Sequence, residues 1–559
     1  MQPERRIAAA IALAACAIPR ATVAADESGI ALVEGPGRGR TQAACAMCHS
    51  LDYILINSPF LDRAGWQKTV DKMIKVFGAP ILPADAGEIV GYLDRNYGPQ
   101  AAAATLTLAN CTLPGYSGPA RCGELRVSEN PERPQGRQIA IGIAVLPATG
   151  GRALPDPIVP LFGGPGEEVI ANAGHLAGQY AALREKRDIL LVDQRGAGRS
   201  GALRCRLFDP DAPAASLRHF LRPEAVETCA RQLAAQADLT QYSYLHFSHD
   251  LEGVRKALGY SQLNLHAGSY GTRAAQVFMR EYPGSVRSAV LASVVPPDFV
   301  TPLTMAKAAQ AQFESTFAGC EADAACRAAY PELRKEFDVI LARLEAGTVR
   351  TSVAGAANAS LGRGRVVEWL RAKLYRPASA AEVPRLIHDA YAGDWTPIIE
   401  GILAQARAVD REYALGLWLS ITCSEDVAFL REEDIAPASE GTFLRDYRVR
   451  EQQAACRHWP RAQLPADYRE PLRTDIPTMF ISGDLDAATP LSFTAHVAPG
   501  FSNRVEIVAR GQGHTEWNGC LADRFRQFIE SGKPGGIDPD CPALPRPPFR
   551  LPAAPAAGG

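Results

Sequence analysis

Leu263-Asn264-Leu265-His266-Ala267-Gly268-Ser269-Tyr270-Gly271-Thr272 is the stretch on which the fold of this 559-residue chain turns. It opens as an apolar run of strand length, and helical spacing takes over from Thr272 to Tyr282. Between the two lies a serine flanked by small residues. A serine on so sharp a strand-to-helix turn holds its hydroxyl clear of the sheet, and its crowded neighbours must be small. This is the nucleophile-elbow pattern, with Ala267 in place of the usual first glycine. Alone it competes with a chance turn, so the rest of the chain must supply a base and an acid.

Two later strands do so. Residues 478–482 run into Gly483-Asp484-Leu485-Asp486-Ala487-Ala488-Thr489-Pro490, and residues 505–508 into Arg510-Gly511-Gln512-Gly513-His514. The order Ser269, Asp486, His514, each at the carboxyl end of a strand, is that of the α/β-hydrolase fold. His514 would take the serine proton, and Asp486 would orient the imidazole; Asp484 is the rival acid. Upstream, Ile158-Val159-Pro160-Leu161 breaks into Phe162-Gly163-Gly164-Pro165-Gly166. Glycine lets backbone N–H groups approach a developing oxyanion, so Gly163 or Gly164 would share it with the Tyr270 N–H. Asp188–Val192 enters the turn Asp193–Ser200, where Asp193 and Arg195 read as framework. Strands alternating with helices predict an α/β class. From about 300 to 470 the pattern is helical, where a cap over the sheet is expected.

Phe162–Gly166, Asp193–Ser200, Gly268-Ser269-Tyr270-Gly271, Asp486-x-x-Thr489-Pro490 and Gly513-His514 resemble the proline iminopeptidase and tripeptidyl-aminopeptidase branch of the α/β-hydrolases, over about 440 residues. The resemblance implies a serine exopeptidase of aminopeptidase type, working through an acyl-enzyme on small peptides. It also favours Asp486, three residues before Thr489, as the acid. Two positions depart from the pattern: Phe162 stands where the glycine loop usually begins with histidine, and Ala267 is the second. Both bear on substrate preference. An aminopeptidase needs a carboxylate for the substrate's α-ammonium. Glu425 and Asp426, in Cys423-Ser424-Glu425-Asp426, are the candidates; a merely structural acidic pair is the alternative. An esterase of the same fold needs no such acid.

A separate segment precedes this body. Cys45-Ala46-Met47-Cys48-His49 has the spacing of c-type haem attachment. Two thiols on one turn can add to the haem vinyls, with the adjacent histidine as proximal ligand. Met47 lies inside the attachment loop, so Met73 is the candidate sixth ligand; the alternative is a core methionine on the apolar face of Trp66–Val76. Residues 84–96 show helical spacing at Ile89, Val90 and Leu93, with Tyr92 and Tyr97 beside them. With Asp52-Tyr53-Ile54, Gly65-Trp66, Lys72-Met73 and Gly78-Ala79-Pro80, the segment resembles class I cytochromes c, above all the small cytochrome subunit of sulfite dehydrogenases. That resemblance implies one covalent haem c and a redox partner.

Composition frames these motifs. Hydrophobic residues make up 47% and charged residues 21%, as in ordinary globular chains, and the net charge of −2 offers no basic excess for nucleic acid. Thirteen cysteines point to an oxidising compartment. Arg5-Arg6, the apolar run 7–18 and the small residues 22–25 predict a signal peptide and a periplasmic or secreted protein. Leu13-Ala14-Ala15-Cys16 is a rival lipoprotein signal, the one route to a membrane. With Cys16 in the export segment and two cysteines for haem, ten remain. Local pairing gives 111–122, 205–229, 320–326, 423–456 and 520–541, each stabilising by about 2–4 kcal/mol in the chain-entropy picture. The expected division is a signal peptide to 25, an all-α cytochrome over 26–100, hydrolase core over 101–300, a helical cap over 301–470, the rest of the core to 545, and a Pro/Ala tail over 546–559. Three functions follow: an exported serine peptidase, an esterase of the same fold, or an electron-transfer protein with a non-catalytic hydrolase scaffold.

Overall fold

The apolar runs that break into glycine turns become the central strands of one nine-stranded sheet. The structure is a computed structural model. It describes residues 32, 37–57, 61, 63–98, 106–351 and 356–552; the export segment with Cys16, and residues 553–559 of the tail, lie outside the described residues. The chain forms two compact units, Met1–Ala102 and Ala103–Gly559.

In the larger unit the strands are β1 (Ala109–Asn110), β2 (Arg121–Ser128), β3 (Gln138–Leu146), β4 (Ile158–Leu161), β5 (Ile189–Val192), β6 (Leu263–Gly268), β7 (Val286–Ala292), β8 (Thr478–Gly483) and β9 (Arg504–Ala509). Their spatial order is β1-β2-β3-β5-β4-β6-β7-β8-β9. From β5 to β9 every pairing is parallel, and β1 to β3 add an antiparallel edge. Successive side chains of a strand point to opposite faces. Accordingly, Leu190 and Val192 join one buried cluster while Ile189 and Leu191 join another. Parallel pairing aligns the carboxyl ends of β4, β6, β7, β8 and β9 on one edge, where binding crevices form in such sheets.

The helical region begins with Thr301–Ala322 and includes Leu333–Glu345, Arg363–Lys373 and Thr396–Glu412, around a core of its own. Within it the stretch 377–392 forms two helices, Pro377–Ala380 and Val383–Ala392. Pro384 lies in the first turn of the second, where its missing N–H costs no hydrogen bond. The helix Leu415–Glu425, expected in the cap, is buried along its whole length and packs into the sheet's core cluster. A helix apolar on every side must be enclosed.

Five disulfides join Cys111–Cys122, Cys205–Cys229, Cys320–Cys326, Cys423–Cys456 and Cys520–Cys541. Among the described residues, no helix is long and apolar enough to cross a membrane.

Among its described residues the smaller unit carries four helices and no strand: α1 (Arg38–Cys45), α2 (Asp52–Asn57), α3 (Arg63–Lys75) and α4 (Pro83–Tyr97). The face of α4 that carries Ile89, Val90 and Leu93 is buried against Trp66, Val70 and Ile54.

Candidate active site

Each strand end at the sheet's edge delivers one component. Ser269 follows β6 with φ +54°, a left-handed conformation that L residues adopt only when their surroundings enforce it. Two constraints do so here. The Ser269 N–H donates to Ala292 O at 2.9 Å, and Gly271 lies so close to the β4 loop that a Cβ would meet Leu161 O at 2.3 Å. His514 follows β9 and lies with Nε2 2.8 Å from Ser269 Oγ. Its Nδ1 is 2.9 Å from Asp486 Oδ2. Asp486 also accepts from Ala488 N, Thr489 N, Thr489 Oγ1 and Ser293 Oγ, at 2.7–2.9 Å. Burial favours the neutral acid, but His514 and these donors outweigh it and hold the Asp486 carboxyl below its ordinary range. The rival Asp484 is exposed and, among the described residues, accepts only the Gly511 N–H, at 2.7 Å.

The backbone around the candidate oxyanion donors is packed as closely. Gly163 packs so tightly against the elbow that a Cβ there would lie 2.9 Å from Ser269 Cβ and 3.1 Å from Tyr270 N. Glycine is the one residue that leaves this space open. The N–H groups of Gly163 and Tyr270 have no acceptor among the described residues. Tyr270 also stands at the start of the helix Gly271–Glu281, where unpaired N–H groups and the helix dipole favour negative charge. Behind the loop, Asp193 accepts from Val169 N, Ile170 N and Arg199 N at 2.8–2.9 Å, and buried Arg195 grips Asp250 with two bonds at 2.6 and 2.7 Å. Both are framework.

Several site residues were not visible as such in the sequence. Ser293, after β7, has φ +57° and bridges Asp486 to the Thr515 N–H. Tyr375 O accepts the His514 N–H at 2.7 Å, and the two rings lie 5.1 Å apart. Tyr413 packs on Gly164, and its hydroxyl donates to Glu167 Oε1 at 2.8 Å. Glu168 is paired with Arg204, whereas no arginine or lysine among the described residues pairs with Glu167. Burial pushes the Glu167 carboxyl above the ordinary range, while the Tyr413 hydroxyl and the charge of nearby His514 favour its ionised form.

Glu425 and Asp426 are not where the sequence reading wanted them. Both are fully buried. Glu425 Oε1 accepts the Tyr244 N–H at 2.8 Å, and burial pushes this carboxyl up to about 7. Asp426 is taken by Tyr270, Arg273 and Thr301. Neither has an oxygen left facing solvent, so neither can meet a substrate's ammonium. The Cys423–Cys456 bridge and the apolar helix carry these acids inward, which the local sequence does not reveal.

In the smaller unit, Cys45 closes α1 half-buried, and exposed Cys48 and then His49 follow on the same turn. The two thiols are unpaired; burial, and then Cys48, push the Cys45 thiol up to about 11. Met73 is half-buried in the last turn of α3. Among the described residues no three His, Cys, Asp or Glu side chains converge as a metal cage. Two observations suit a flat apolar group with acidic edges. Met47, Tyr53, Ile56, Val76, Phe77 and Leu82 are all exposed in this small unit. Thr41 Oγ1 and Trp66 Nε1 are buried with no partner among the described residues.

A nucleophilic serine, a histidine base held by a buried aspartate, and open N–H donors on a parallel sheet define a serine hydrolase of the α/β-hydrolase fold, and the chain is an enzyme of that class. Residues 157–380 match the alpha/beta hydrolase fold family, and residues 442–541 the family described as TAP-like protein. The chain is 23% identical over 469 residues to a tripeptidyl aminopeptidase of Streptomyces lividans, covering 77% of this chain and 85% of that one. It is 30% identical over 225 residues to the serine protease Hip1 of Mycobacterium tuberculosis, covering 37% of this chain and 43% of the relative. A solved proline iminopeptidase from Mycobacterium smegmatis is 17% identical, with a TM-score of 0.35 over 73% of this chain and 98% of its own.

Proposed function

We propose that the larger unit is an exo-acting serine peptidase that cleaves small peptides bearing a free amino terminus. Ser269 Oγ attacks the scissile carbonyl carbon while its proton passes to His514 Nε2. The carbonyl oxygen, now negative, sits between the Tyr270 N–H and an N–H of the Gly163-Gly164 loop. The C–N bond then breaks, His514 protonates the leaving amine, and water repeats the sequence on the ester.

The observation that carries the peptidase reading over an esterase is Glu167. Its carboxylate is half-buried on the oxyanion loop, feels the charge of His514, and has no arginine or lysine partner among the described residues. A buried charge without a counter-ion is costly, and a substrate ammonium would relieve that cost. Glu167→Gln is expected to raise KM for aminoacyl or tripeptidyl anilides about 10–100-fold, the loss of one charge-assisted hydrogen bond of roughly 1.5–3 kcal/mol, and to leave p-nitrophenyl acetate hydrolysis unchanged. Equal effects on both would refute the assignment. Because burial raises this carboxyl's pKa, acidification should weaken anilide binding in the wild type at a higher pH than an ordinary glutamate would, and the Gln variant should lack that limb.

We propose that the smaller unit would hold one covalent haem c through the thiols of Cys45 and Cys48, with His49 and Met73 as the residues that would bind its iron. The exposed apolar side chains and the unpartnered Trp66 and Thr41 donors support this. When bound, the haem supplies one-electron transfer and calls for a redox partner. Cys48→Ser should abolish haem staining of the denatured protein; undiminished staining would reject the assignment. Five disulfides support an oxidising compartment, and hence export.

A further inference from the structure

Beneath the elbow, the buried Asp426 carboxylate is the centre of a hydrogen-bond cluster. Tyr270 Oη donates to Asp426 Oδ2 at 2.5 Å and accepts from Arg273 Nη1 at 2.8 Å. Arg273 Nη1 also reaches Asp426 Oδ1 at 3.0 Å, and Arg273 Nη2 donates to Pro296 O and Phe299 O at 2.9 and 2.8 Å. The remaining capacity of Asp426 Oδ1 is filled by Thr301 N and Thr301 Oγ1, at 2.9 and 3.1 Å. The guanidinium lies 4.8 Å from the centre of the Tyr270 ring. Asp426 is 0% exposed, Arg273 1% and Tyr270 5%.

Three parts of the chain therefore meet on one carboxylate. Tyr270 and Arg273 begin the helix after the nucleophile, Thr301 begins the first helix of the cap, and Asp426 ends the helix Leu415–Glu425. A phenol held from both sides cannot rotate, and a fixed side chain restrains its own Cα; the preceding peptide plane is held on its other side by Thr272 N and Thr272 Oγ1, which donate to Ser269 O at 2.9 and 2.7 Å. That plane carries the N–H aimed at the oxyanion. We infer that Asp426, with Arg273, is a positioning residue for catalysis: it clamps the Tyr270 hydroxyl so that the Tyr270 backbone N–H stays aimed at the oxyanion, and through Thr301 it ties this alignment to the seating of the cap. Neither side chain touches substrate. The inference rests on the acyl-transfer reading above.

Tyr270→Phe removes the clamped hydroxyl and leaves the Arg273–Asp426 ion pair in place. Losing one oxyanion donor outright costs about 10²–10³ in kcat, so a misaimed donor should cost about 10–100-fold. The measurements are kcat and KM on a tripeptidyl p-nitroanilide per site titrated with a fluorophosphonate, inhibition by a peptidyl boronic acid, and thermal unfolding. The expected result is a kcat about 10–100-fold lower, KM within twofold, and boronate inhibition weakened by the same factor as kcat, since the boronate needs the same donor. Asp426→Asn should show the same split in whatever fraction titrates as active. The inference is overturned if kcat per titrated site is unchanged in Tyr270→Phe, whatever happens to the melting temperature, because the clamp would then serve folding alone. If wild-type turnover does not depend on Ser269, the underlying reading fails instead, and the two failures are distinguishable.

Discussion

Ser269→Ala is expected to lower kcat about 10⁶-fold, on the scale seen when a triad nucleophile is removed from a serine hydrolase, and to abolish labelling by a fluorophosphonate. The fold should survive. The hydroxyl accepts from no backbone group and donates to none among the described residues; its one side-chain partner is His514 Nε2, at 2.8 Å. What holds the elbow is instead the Ser269 N–H bond to Ala292 O and the close approach of Gly271 to Leu161 O, and alanine leaves both unchanged. The φ of +54° remains strained for alanine as for serine. The variant should therefore keep its melting temperature within a few degrees, and its five disulfides. Retained labelling in a folded variant would place the reactive serine elsewhere, and a wild type that takes no label would favour the scaffold reading.

How much of this was legible beforehand depended on where the defining contact lies along the chain. The elbow, the glycine loop and the two late turns are local: a strand breaks into small residues next to a reactive group, and short windows of sequence contain the whole signal. Cys111 and Cys122, or Cys320 and Cys326, are likewise near neighbours. Strand β2, between β1 and β3, is faint because only Leu125 along it is fully buried, so its apolar pattern is weak. Ser293 and Tyr375 take their roles from long-range contacts. Ser293 meets Asp486 across 193 positions. Glu425 and Asp426 failed as candidates for the ammonium because a carboxylate pair looks the same in sequence whether it faces water or an arginine. The structure decides it: Arg273, 153 positions before Asp426, pairs with Asp426 from inside, and Glu425 is buried beside it. Glu167 carries no local signal for the converse reason. It follows a glycine turn beside an ordinary surface glutamate, and only the capture of Glu168 by Arg204 and the arrival of Tyr413 from position 413 set it apart.

The second large effect is expected at Asp486. Asp486→Asn should reduce kcat about 10⁴-fold, the loss that follows when a triad aspartate becomes its amide and the histidine adopts the wrong tautomer. The hydrogen bonds here dictate that tautomer. Asp486 Oδ1 accepts the Ala488 and Thr489 N–H groups, at 2.8 and 2.9 Å, so an asparagine must place its carbonyl oxygen there. Its NH₂ then takes the position of Oδ2 and faces His514 Nδ1, 2.9 Å away. An N–H in that place favours Nδ1 as an acceptor over an Nδ1–H bonded to the amide oxygen 3.0 Å away at the Oδ1 position, and an accepting Nδ1 puts the histidine proton on Nε2, toward Ser269. The base is then already protonated on the side that must receive the serine's proton. Thr489 Oγ1 and Ser293 Oγ can each rotate their hydrogen away, so they do not oppose the flip. Asp484→Asn is the matched control. Its oxygen accepts one backbone N–H on the exposed side of the same turn, which an amide oxygen can also do, and activity should stay within about twofold. Measuring kcat/KM for both variants on one substrate, with folding checked by melting, decides between the two acids. A large loss in Asp484→Asn with little change in Asp486→Asn would reverse the assignment.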